Sequence, residues 1–260
     1  MRDNLFIKRS LQTTTLTDGV RKHRQTAERY IQANEGGLFK AQPDGNETQL
    51  LYKRGIKTSF LSYVARQFGN PTGFGGKIST LAMNCLNKKL YKAVIENLDI
   101  QATDTILDIG FGNGYLVNRF SNKNLQKLYG IEISPDMLKV ATKKTRKKID
   151  QGKVELLLAD VQDLSLESAL IDKIYTINTI YFWQDIHRGF AEIKRVLKPN
   201  GVFFNVIYLK EWLDKFPFTQ YGFSKYTDEQ IEKITTESGL KIERIVEIQA
   251  RKSICIIARK

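Results

Sequence analysis

Three glycines alternate with other residues directly after an apolar run that ends in a carboxylate and an isoleucine. The segment reads Asp108-Ile109-Gly110-Phe111-Gly112-Asn113-Gly114, and a helical pattern follows it. Glycine lets the backbone turn tightly and approach a ligand closely. A loop between a strand and a helix in an open α/β sheet lies at the carboxyl ends of the strands, where ligands bind. The segment therefore predicts a site for a nucleotide-like cofactor.

The spacing of these glycines argues against a dinucleotide. The dinucleotide fingerprint is G-x-G-x-x-G or G-x-G-x-x-A, whereas Gly110, Gly112 and Gly114 are followed by Tyr115. The carboxylate of Asp108, just before the first glycine, favours a cationic ligand over a pyrophosphate. S-adenosylmethionine (SAM) carries an amino group and a sulfonium and has no phosphate, so we expect SAM in this site.

Two more carboxylates stand at the ends of predicted strands. Glu132 lies 18 residues after Gly114, close to the spacing of about 20 residues that is typical of ribose-binding acids. A carboxylate there can accept hydrogen bonds from both ribose hydroxyls, or it can be a solvated strand end. Asp160 can accept a hydrogen bond from an adenine amino group, or its side chain can cap the next turn.

Strands and helices that alternate along the chain position these residues. The predicted strands are 104–109, 127–133, 154–159, 171–178, 201–209, 241–248 and 253–258. The predicted helices are 59–67, 78–98, 115–120, 135–148, 183–197 and 228–238, with a glycine-dense loop at 69–76. Such alternation predicts a parallel sheet with helices on both faces.

The last two strands depart from this pattern. Only residues 249–252 separate them, which is too short for a parallel crossover, so they should pair antiparallel. The predicted fold is α/β and Rossmann-like: a doubly wound, seven-stranded, mostly parallel sheet with a C-terminal antiparallel hairpin and helices on both faces.

Residues 1–56 differ in character from the rest of the chain. They are polar and basic with little apolar periodicity, which predicts an extension that is partly disordered or forms a short helix. Residues 57–260 are expected to form the functional domain. The whole chain has 41 basic and 28 acidic residues, a net charge of +13. This charge attracts polyanions without naming one.

Several classes of protein are not expected from the composition. Cys85 and Cys255 lie far apart, and His23 and His187 are the only histidines, so no metal site is predicted. No apolar run reaches the roughly 18 residues of a membrane span. The N-terminal residues also lack the apolar stretch of a signal peptide. We therefore expect a cytoplasmic protein.

Taken together, residues 57–260 resemble the class I SAM-dependent methyltransferases, in the small-molecule branch often labelled type 11. Five segments carry the resemblance: 107–114 for motif I, Glu132 for the acid after the second strand, 159–161 for the adenine side, 177–183 after the fourth strand, and 193–202 for the following helix, turn and strand. Asn200 stands in the last segment where glycine is commoner, and asparagine adopts the left-handed conformation readily.

The resemblance implies roles in holding the cofactor. Asp108 and Gly110 border the methionine part of SAM, within the motif that also contains Gly112 and Gly114. The remaining positions follow the strands: Glu132 holds the ribose, Ile133 covers the adenine, Asp160 with the adjacent Val161 meets the adenine amino group, and Asn178 lines the site near the transferred methyl.

Residues on the acceptor side are expected from two segments. Tyr63 and Phe68 precede motif I, in a part of the chain that covers the cofactor in this family. Tyr181, Phe182 and Trp183 follow the fourth strand, where they can form a wall of an apolar substrate pocket or belong to the core.

The expected reaction is a displacement at a sulfonium-bound methyl, which needs alignment of the reacting atoms and no metal. Tyr181 and Asn178 are the candidate catalytic residues, with Tyr181 orienting the acceptor. A small molecule is the first choice of acceptor. RNA or another nucleic acid is the alternative, although the segment 178–181 lacks the Asn/Asp-Pro-Pro-aromatic motif of enzymes that methylate nucleic-acid amino groups. A non-catalytic SAM-binding module is a third interpretation.

Overall fold

The computed structural model of the chain describes residues 58–59, 61–69 and 86–260. The predictions for residues 1–56, for the glycine-dense loop after Gly69 and for the first part of the helix at 78–98 lie outside these residues. Residues 58–59 and 61–69 are helical, in agreement with the helix predicted at 59–67.

One seven-stranded sheet forms the centre of the described part, and it confirms the predicted fold. The strands are β1 Thr105–Ile109, β2 Lys127–Glu132, β3 Val154–Leu158, β4 Ile171–Ile177, β5 Leu197–Tyr208, β6 Lys241–Gln249 and β7 Ser253–Arg259. Their order in the sheet is β3-β2-β1-β4-β5-β7-β6. Six strands run in one direction, and β7 is antiparallel to β5 and to β6.

Helices cover both faces of this sheet. They are α1 Lys88–Asn97, α2 Tyr115–Phe120, α3 Pro135–Asp150, α4 Ile186–Val196, α5 Lys210–Leu213 and α6 Asp228–Glu237. Two short 3₁₀ turns, Ile180–Phe182 and Pro217–Gln220, lie between them.

The core has two parts, one on each side of β1. Leu107 packs with residues of α4 and α6 on one face. Ile106 packs with residues of α1, α2 and α3 on the other. All five residues of β1 are buried, as expected for an interior strand of a parallel sheet. This strand therefore carries the loop that follows it at a well-fixed position.

The structure differs from the prediction after β4. A single helix was expected over 183–197, but a 3₁₀ turn ends at Phe182 and α4 begins at Ile186. The side chain of Asp185 accepts a hydrogen bond from the backbone N–H of Arg188 at 3.0 Å. This N-cap starts a new helix at that point, so residues 183–185 link the two elements. Strand β5 begins at Leu197, before the predicted position 201, and passes through Asn200 in a left-handed conformation (φ 66°).

The segment between β5 and α6 was not predicted to have regular structure. It contains α5 and the turn Pro217–Gln220. Lys210 and Asp214 form an ion pair within it, and Lys225 reaches the same carboxylate. Across the described ranges, no helix has the length and apolar character needed to cross a membrane.

Candidate active site

A cavity of about 140 Å³ lies at the carboxyl ends of the parallel strands. The loop after β1 contributes Gly110 and Gly112, the end of β2 contributes Glu132, and the segments after β3 and β4 contribute Asp160 and Asn178. The topology thus brings together residues from four strand ends at the edge where ligands bind in open α/β sheets.

The glycine loop needs its glycines for two separate reasons. Gly110, Gly112 and Gly114 all have positive φ, at 72°, 53° and 72°, where residues with a Cβ are strained. A Cβ at Gly110 would overlap Cγ2 of Thr179, and one at Gly114 would lie 2.7 Å from Cβ of Ala141. At Gly112 the space is open. The loop therefore packs closely against the segment after β4 and against α3, while the space at its middle glycine stays open.

Glu132 ties this loop to the end of β2. Its Oε2 accepts a hydrogen bond from the N–H of Gly112 at 2.9 Å. Its Oε1 accepts from Ile133 and Ser134 at 2.9 and 3.0 Å. Burial raises the pKa of Glu132, and the three backbone N–H groups oppose that rise. With 6% of its surface exposed, Glu132 is a buried carboxylate in the cavity wall and not a solvated strand end.

Asp108 lies buried at the end of β1 with a phenol beside it. The hydroxyl of Tyr175 donates to Oδ2 of Asp108 at 2.6 Å. The pKa of Asp108 is raised to about 8, because burial and, to a smaller extent, the charge of Glu132 raise it by more than the hydrogen bond from Tyr175 lowers it. The sequence analysis did not identify Tyr175 as a site residue. The one indication was its place within a predicted buried strand, because a buried tyrosine hydroxyl needs a hydrogen-bond partner.

The residues that follow β2 and β3 form another part of the cavity wall. Ile133 lines the cavity with 43% of its surface exposed, and Val161 is buried beside it. Oδ1 of Asp160 accepts hydrogen bonds from the backbone N–H and the side-chain amide of Gln162 at 2.9 and 3.0 Å. Asp160 thus caps a turn and lines the cavity at once.

Asn178 is held from several sides at the end of β4. It has a left-handed backbone (φ 58°), and its Nδ2 donates to Oδ1 of Asn87 at 2.9 Å. Its Oδ1 accepts from the Tyr181 hydroxyl at 3.0 Å and from the N–H of Tyr208 at 3.2 Å. These bonds fix the orientation of the amide where it lines the cavity.

Tyr181 belongs to this network but not to the cavity wall. Its single O–H is shared between Oδ1 of Asn178 and the carbonyl of Tyr208, which lies 2.9 Å away, and burial raises the pKa of Tyr181 well above the usual value. The described lining residues do not include Tyr181. The hydroxyl therefore contacts Asn178 and the backbone, away from the cavity.

Only some of the aromatic residues predicted for the acceptor side line the cavity. Phe68, Phe182 and Trp183 line the cavity, together with Gly69. A Cβ at Gly69 would lie 2.7 Å from Cδ1 of Phe182, so the end of the helical segment packs closely on the turn after β4. Tyr63 lies outside the lining residues and is 42% exposed.

A second layer of rings supports this wall. Phe68 stacks on Phe218 with ring centroids 4.9 Å apart, and Phe182 contacts Phe223 at 4.6 Å. Phe218 and Phe223 come from the segment between β5 and α6. No periodic pattern in the sequence indicated that they would lie here.

Two tyrosines and an asparagine from outside the predicted site also line the cavity. The rings of Tyr91 and Tyr115 stack with centroids 5.1 Å apart, and Asn87 lies just before α1. Burial raises the pKa of Tyr91 to about 12, while Tyr115 is 43% exposed. The position of Tyr115 directly after Gly114 could have indicated that it lines the cavity.

The charge of the lining is one-sided. The described lining residues include three carboxylates, from Asp108, Glu132 and Asp160, and no lysine, arginine or histidine. In the part of the chain that the structure describes, no group of three or more His, Cys, Asp or Glu side chains could hold a metal ion. The cavity therefore suits a ligand that brings positive charge and hydrogen-bond donors.

Comparison with known proteins identifies the family. A family model for a methyltransferase domain matches residues 107–205. The uncharacterized methyltransferase YdaC of Bacillus subtilis (strain 168) is 31% identical over 125 residues, which are 48% of this chain and 67% of YdaC. The sterol 4-C-methyltransferase strm-1 of Caenorhabditis elegans is 28% identical over 116 residues, 45% of this chain and 34% of that enzyme. The chain thus spans about two thirds of the first relative and about a third of the second.

A solved structure confirms the fold. A SAM-dependent methyltransferase from Aquifex aeolicus superposes with a TM-score of 0.56 at 23% identity, covering 66% of this chain and 92% of that one.

The cavity fits SAM by its own chemistry. Left-handed glycines leave open space at Gly112, two buried carboxylates suit an ammonium and ribose hydroxyls, and the exposed face of Ile133 suits a flat ring. Together with the match of residues 107–205 and the identity to YdaC, this shows that the chain belongs to the class I SAM-dependent methyltransferases, with SAM as its cofactor.

Proposed function

We propose that this chain transfers a methyl group from SAM to a small, uncharged acceptor with an apolar body. The observation that carries the proposal is that acidic side chains line one part of the cavity and aromatic or neutral side chains line the other. The three carboxylates lie near the ends of β1 and β2 and just after β3, whereas the lining after β4 and from the helical segment is aromatic or neutral, with Phe68, Phe182 and Asn178. In the order of the sheet, the cofactor then lies over β3-β2-β1 and the acceptor over β4.

In this assignment the adenosine part contacts the ends of β2 and β3. Glu132 is positioned by three backbone N–H groups and retains lone pairs for the ribose hydroxyls. Ile133 offers its exposed face to the adenine, next to Val161. Asp160 keeps acceptor capacity beyond its bonds to Gln162 and meets the adenine amino group.

The methionine part then lies along the glycine loop. Asp108 faces the ammonium, and the open backbone of Gly110, Gly112 and Gly114 lets this part approach closely. When bound, SAM would supply a methyl group activated by its bond to a sulfonium, so that its transfer would need no metal. The contribution of the protein is mainly to align the acceptor with that methyl.

Asn178 is our candidate for orienting the acceptor. Its amide lines the cavity, and Asn87, Tyr181 and Tyr208 hold it. Because the Tyr181 hydroxyl contacts Asn178 and not the cavity, we assign Tyr181 a positioning role that acts through Asn178.

The acceptor body is assigned to the aromatic wall. Phe68, Phe182 and Trp183 offer apolar surface with few rotatable bonds, which favours flat or ring-shaped molecules. The acceptor named for the sterol 4-C-methyltransferase relative is a molecule of this kind. That likeness supports the class of acceptor.

The nucleic-acid alternative rests on the net charge of +13. It conflicts with the cavity, because the described lining has no cationic side chain to meet a phosphate. Retention on heparin or RNA at about 150 mM salt tests this alternative, since several real phosphate contacts survive in part at that salt.

Release of S-adenosylhomocysteine tests the proposal directly. Purified protein is incubated with SAM and with matched acceptors: neutral phenols, hydroquinones or sterols, their carboxylated or phosphorylated analogues, and RNA. We expect turnover with neutral apolar compounds and little with their anionic analogues. Turnover on RNA alone would overturn the proposal, and SAM binding without turnover on any acceptor would favour a non-catalytic module.

A further inference from the structure

Asp108 and Tyr175 lie side by side on neighbouring strands at the cavity. They are paired in register between β1 and β4, with 5% and 0% of their surfaces exposed. The Tyr175 hydroxyl reaches Oδ2 of Asp108 at 2.6 Å. Within the described residues, this is the one hydrogen bond to the Asp108 carboxylate. Its other oxygen, Oδ1, is thus left for a ligand in the cavity that both residues line.

The groups that surround Asp108 are acidic or neutral. Glu132 approaches from β2, Tyr175 from β4 and Tyr91 from α1, and each interacts electrostatically with Asp108 or its partner. The described lining of the cavity has no lysine, arginine or histidine. Among the described lining residues, an ionised Asp108 therefore has no cationic side chain to balance its charge, and the ammonium of the cofactor can serve as its counter-ion.

We propose that Tyr175 is the positioning residue that holds the Asp108 carboxylate for its contact with the cofactor ammonium, and that this contact forms with release of one proton. The inference rests on the SAM site of the proposed function. In the step, the O–H bond of neutral Asp108 breaks and the proton passes to water. The electron pair stays on the carboxylate, which the ammonium then faces.

The electrostatics of the cofactor-free protein support this assignment. Burial raises the pKa of Asp108 to about 8, so near pH 6.5 the side chain is largely neutral. A free α-amino group has a pKa of about 7.7–8.0, so the ammonium of SAM stays protonated at that pH. A proton released on binding at pH 6.5 then comes from the protein.

Titration calorimetry with SAM at pH 6.5, in two buffers of different ionisation enthalpy, counts that proton. We expect release of about one proton per SAM, with the affinity rising up to about tenfold per pH unit between pH 6 and 7.5. Adenosine lacks the ammonium and should bind without proton release. Asp108→Asn should bind SAM more weakly and release no proton.

Tyr175→Phe tests the positioning role, with Tyr129→Phe as the matched control. Tyr129 also lies on a strand of the sheet but does not line the cavity. Tyr175→Phe retains the ring that packs edge-on against Phe120. We expect it to weaken SAM binding at pH 6.5 roughly tenfold, to shift the pH midpoint of binding upward and to leave adenosine affinity unchanged. Tyr129→Phe should behave as the wild type.

The outcomes separate this inference from the proposed function. SAM binding by the wild type without proton release at pH 6.5 overturns the proton-linked contact. Equal SAM affinity and equal pH midpoints in Tyr175→Phe and Tyr129→Phe overturn the positioning role. Failure of the wild type to bind SAM at any pH refutes the cofactor site itself. Thermal melting of each variant shows whether a loss of binding comes from unfolding.

Discussion

Oε2 of Glu132 lies 2.9 Å from the backbone nitrogen of Gly112 and accepts a hydrogen bond from its N–H. Glu132 ends β2, and Gly112 lies 20 positions earlier, in the loop that follows the neighbouring parallel strand β1. The carboxylate therefore shapes the glycine loop as well as the cavity wall. A change at Glu132 should affect the cofactor site through both roles.

Glu132→Gln is expected to weaken SAM binding by at least about tenfold, since an amide nitrogen cannot accept and one backbone N–H loses its partner. Titration calorimetry measures the loss. Glu155→Gln is the control, because Glu155 pairs with Lys127 outside the cavity. The ribose contact is tested separately: wild type should prefer adenosine to 2′-deoxyadenosine, and Glu132→Gln should lose that preference. Unchanged SAM affinity in Glu132→Gln would defeat the assignment.

Gly110→Ala should be more damaging than Gly152→Ala, although both glycines have φ of 72°. A Cβ at Gly110 overlaps Thr179, whereas a Cβ at Gly152 has no atom within 4 Å. Backbone strain of about 1–2 kcal/mol is common to both variants, and overpacking adds about 1–3 kcal/mol at Gly110 only. Urea unfolding gives the two free energies, and SAM should raise the Tm of Gly152→Ala alone. Equal losses of stability would contradict the role of the Thr179 contact.

Asp108→Asn should stabilise the cofactor-free protein, and more so at high pH. Burial raises the pKa of Asp108 from the usual 3.8 to about 8. Between these values the native state holds a proton that the unfolded state has released, so stability falls as pH rises through this window. Asparagine cannot ionise and removes that cost. Melting at pH 5 and pH 8 should show a larger gain in Tm at pH 8, while the exposed Asp163→Asn should show none. A gain that is equal at both pH values would contradict the raised pKa.

Tyr181→Phe should leave SAM affinity within about twofold and lower the free energy of unfolding by about 1–2 kcal/mol, because Asn178 and the Tyr208 carbonyl lose the one buried O–H that they share. Turnover should fall as Asn178 loses its orientation. Calorimetry, urea unfolding and S-adenosylhomocysteine release measure the three effects. Tyr221→Phe, outside the cavity lining, is the control. A loss of turnover with unchanged stability would indicate that Tyr181 contacts the acceptor directly.

Much of the cavity lining on the proposed cofactor side could be predicted because its signals are local in sequence. Asp108 lies near the end of a buried strand, Gly110 and Gly112 follow that strand, and Glu132 ends the next one. Parallel pairing of neighbouring strands then places their ends at one edge, whatever the details of packing. The short link between β6 and β7 likewise required an antiparallel pair.

The acceptor side was predicted less well because its contacts join distant parts of the chain. Phe68 meets Phe218, and Asn178 meets Asn87 across 91 positions. No strand or helix period encodes such pairs, since they depend on how loops fold over the sheet edge. The prediction that Tyr181 lines the cavity failed for the same reason, because its hydroxyl contacts Tyr208, which is distant in sequence.

The sequence by itself determined the α/β order, the glycine loop and the carboxylates at the strand ends, because short-range periodicity and backbone freedom specify them. Only the tertiary structure decided which side chains share the cavity. It brought Tyr175 to Asp108 across 67 positions and left the lining without a cationic side chain among the described residues. Burial and charge balance are properties of residues gathered in space, so they appear only once the strands are paired.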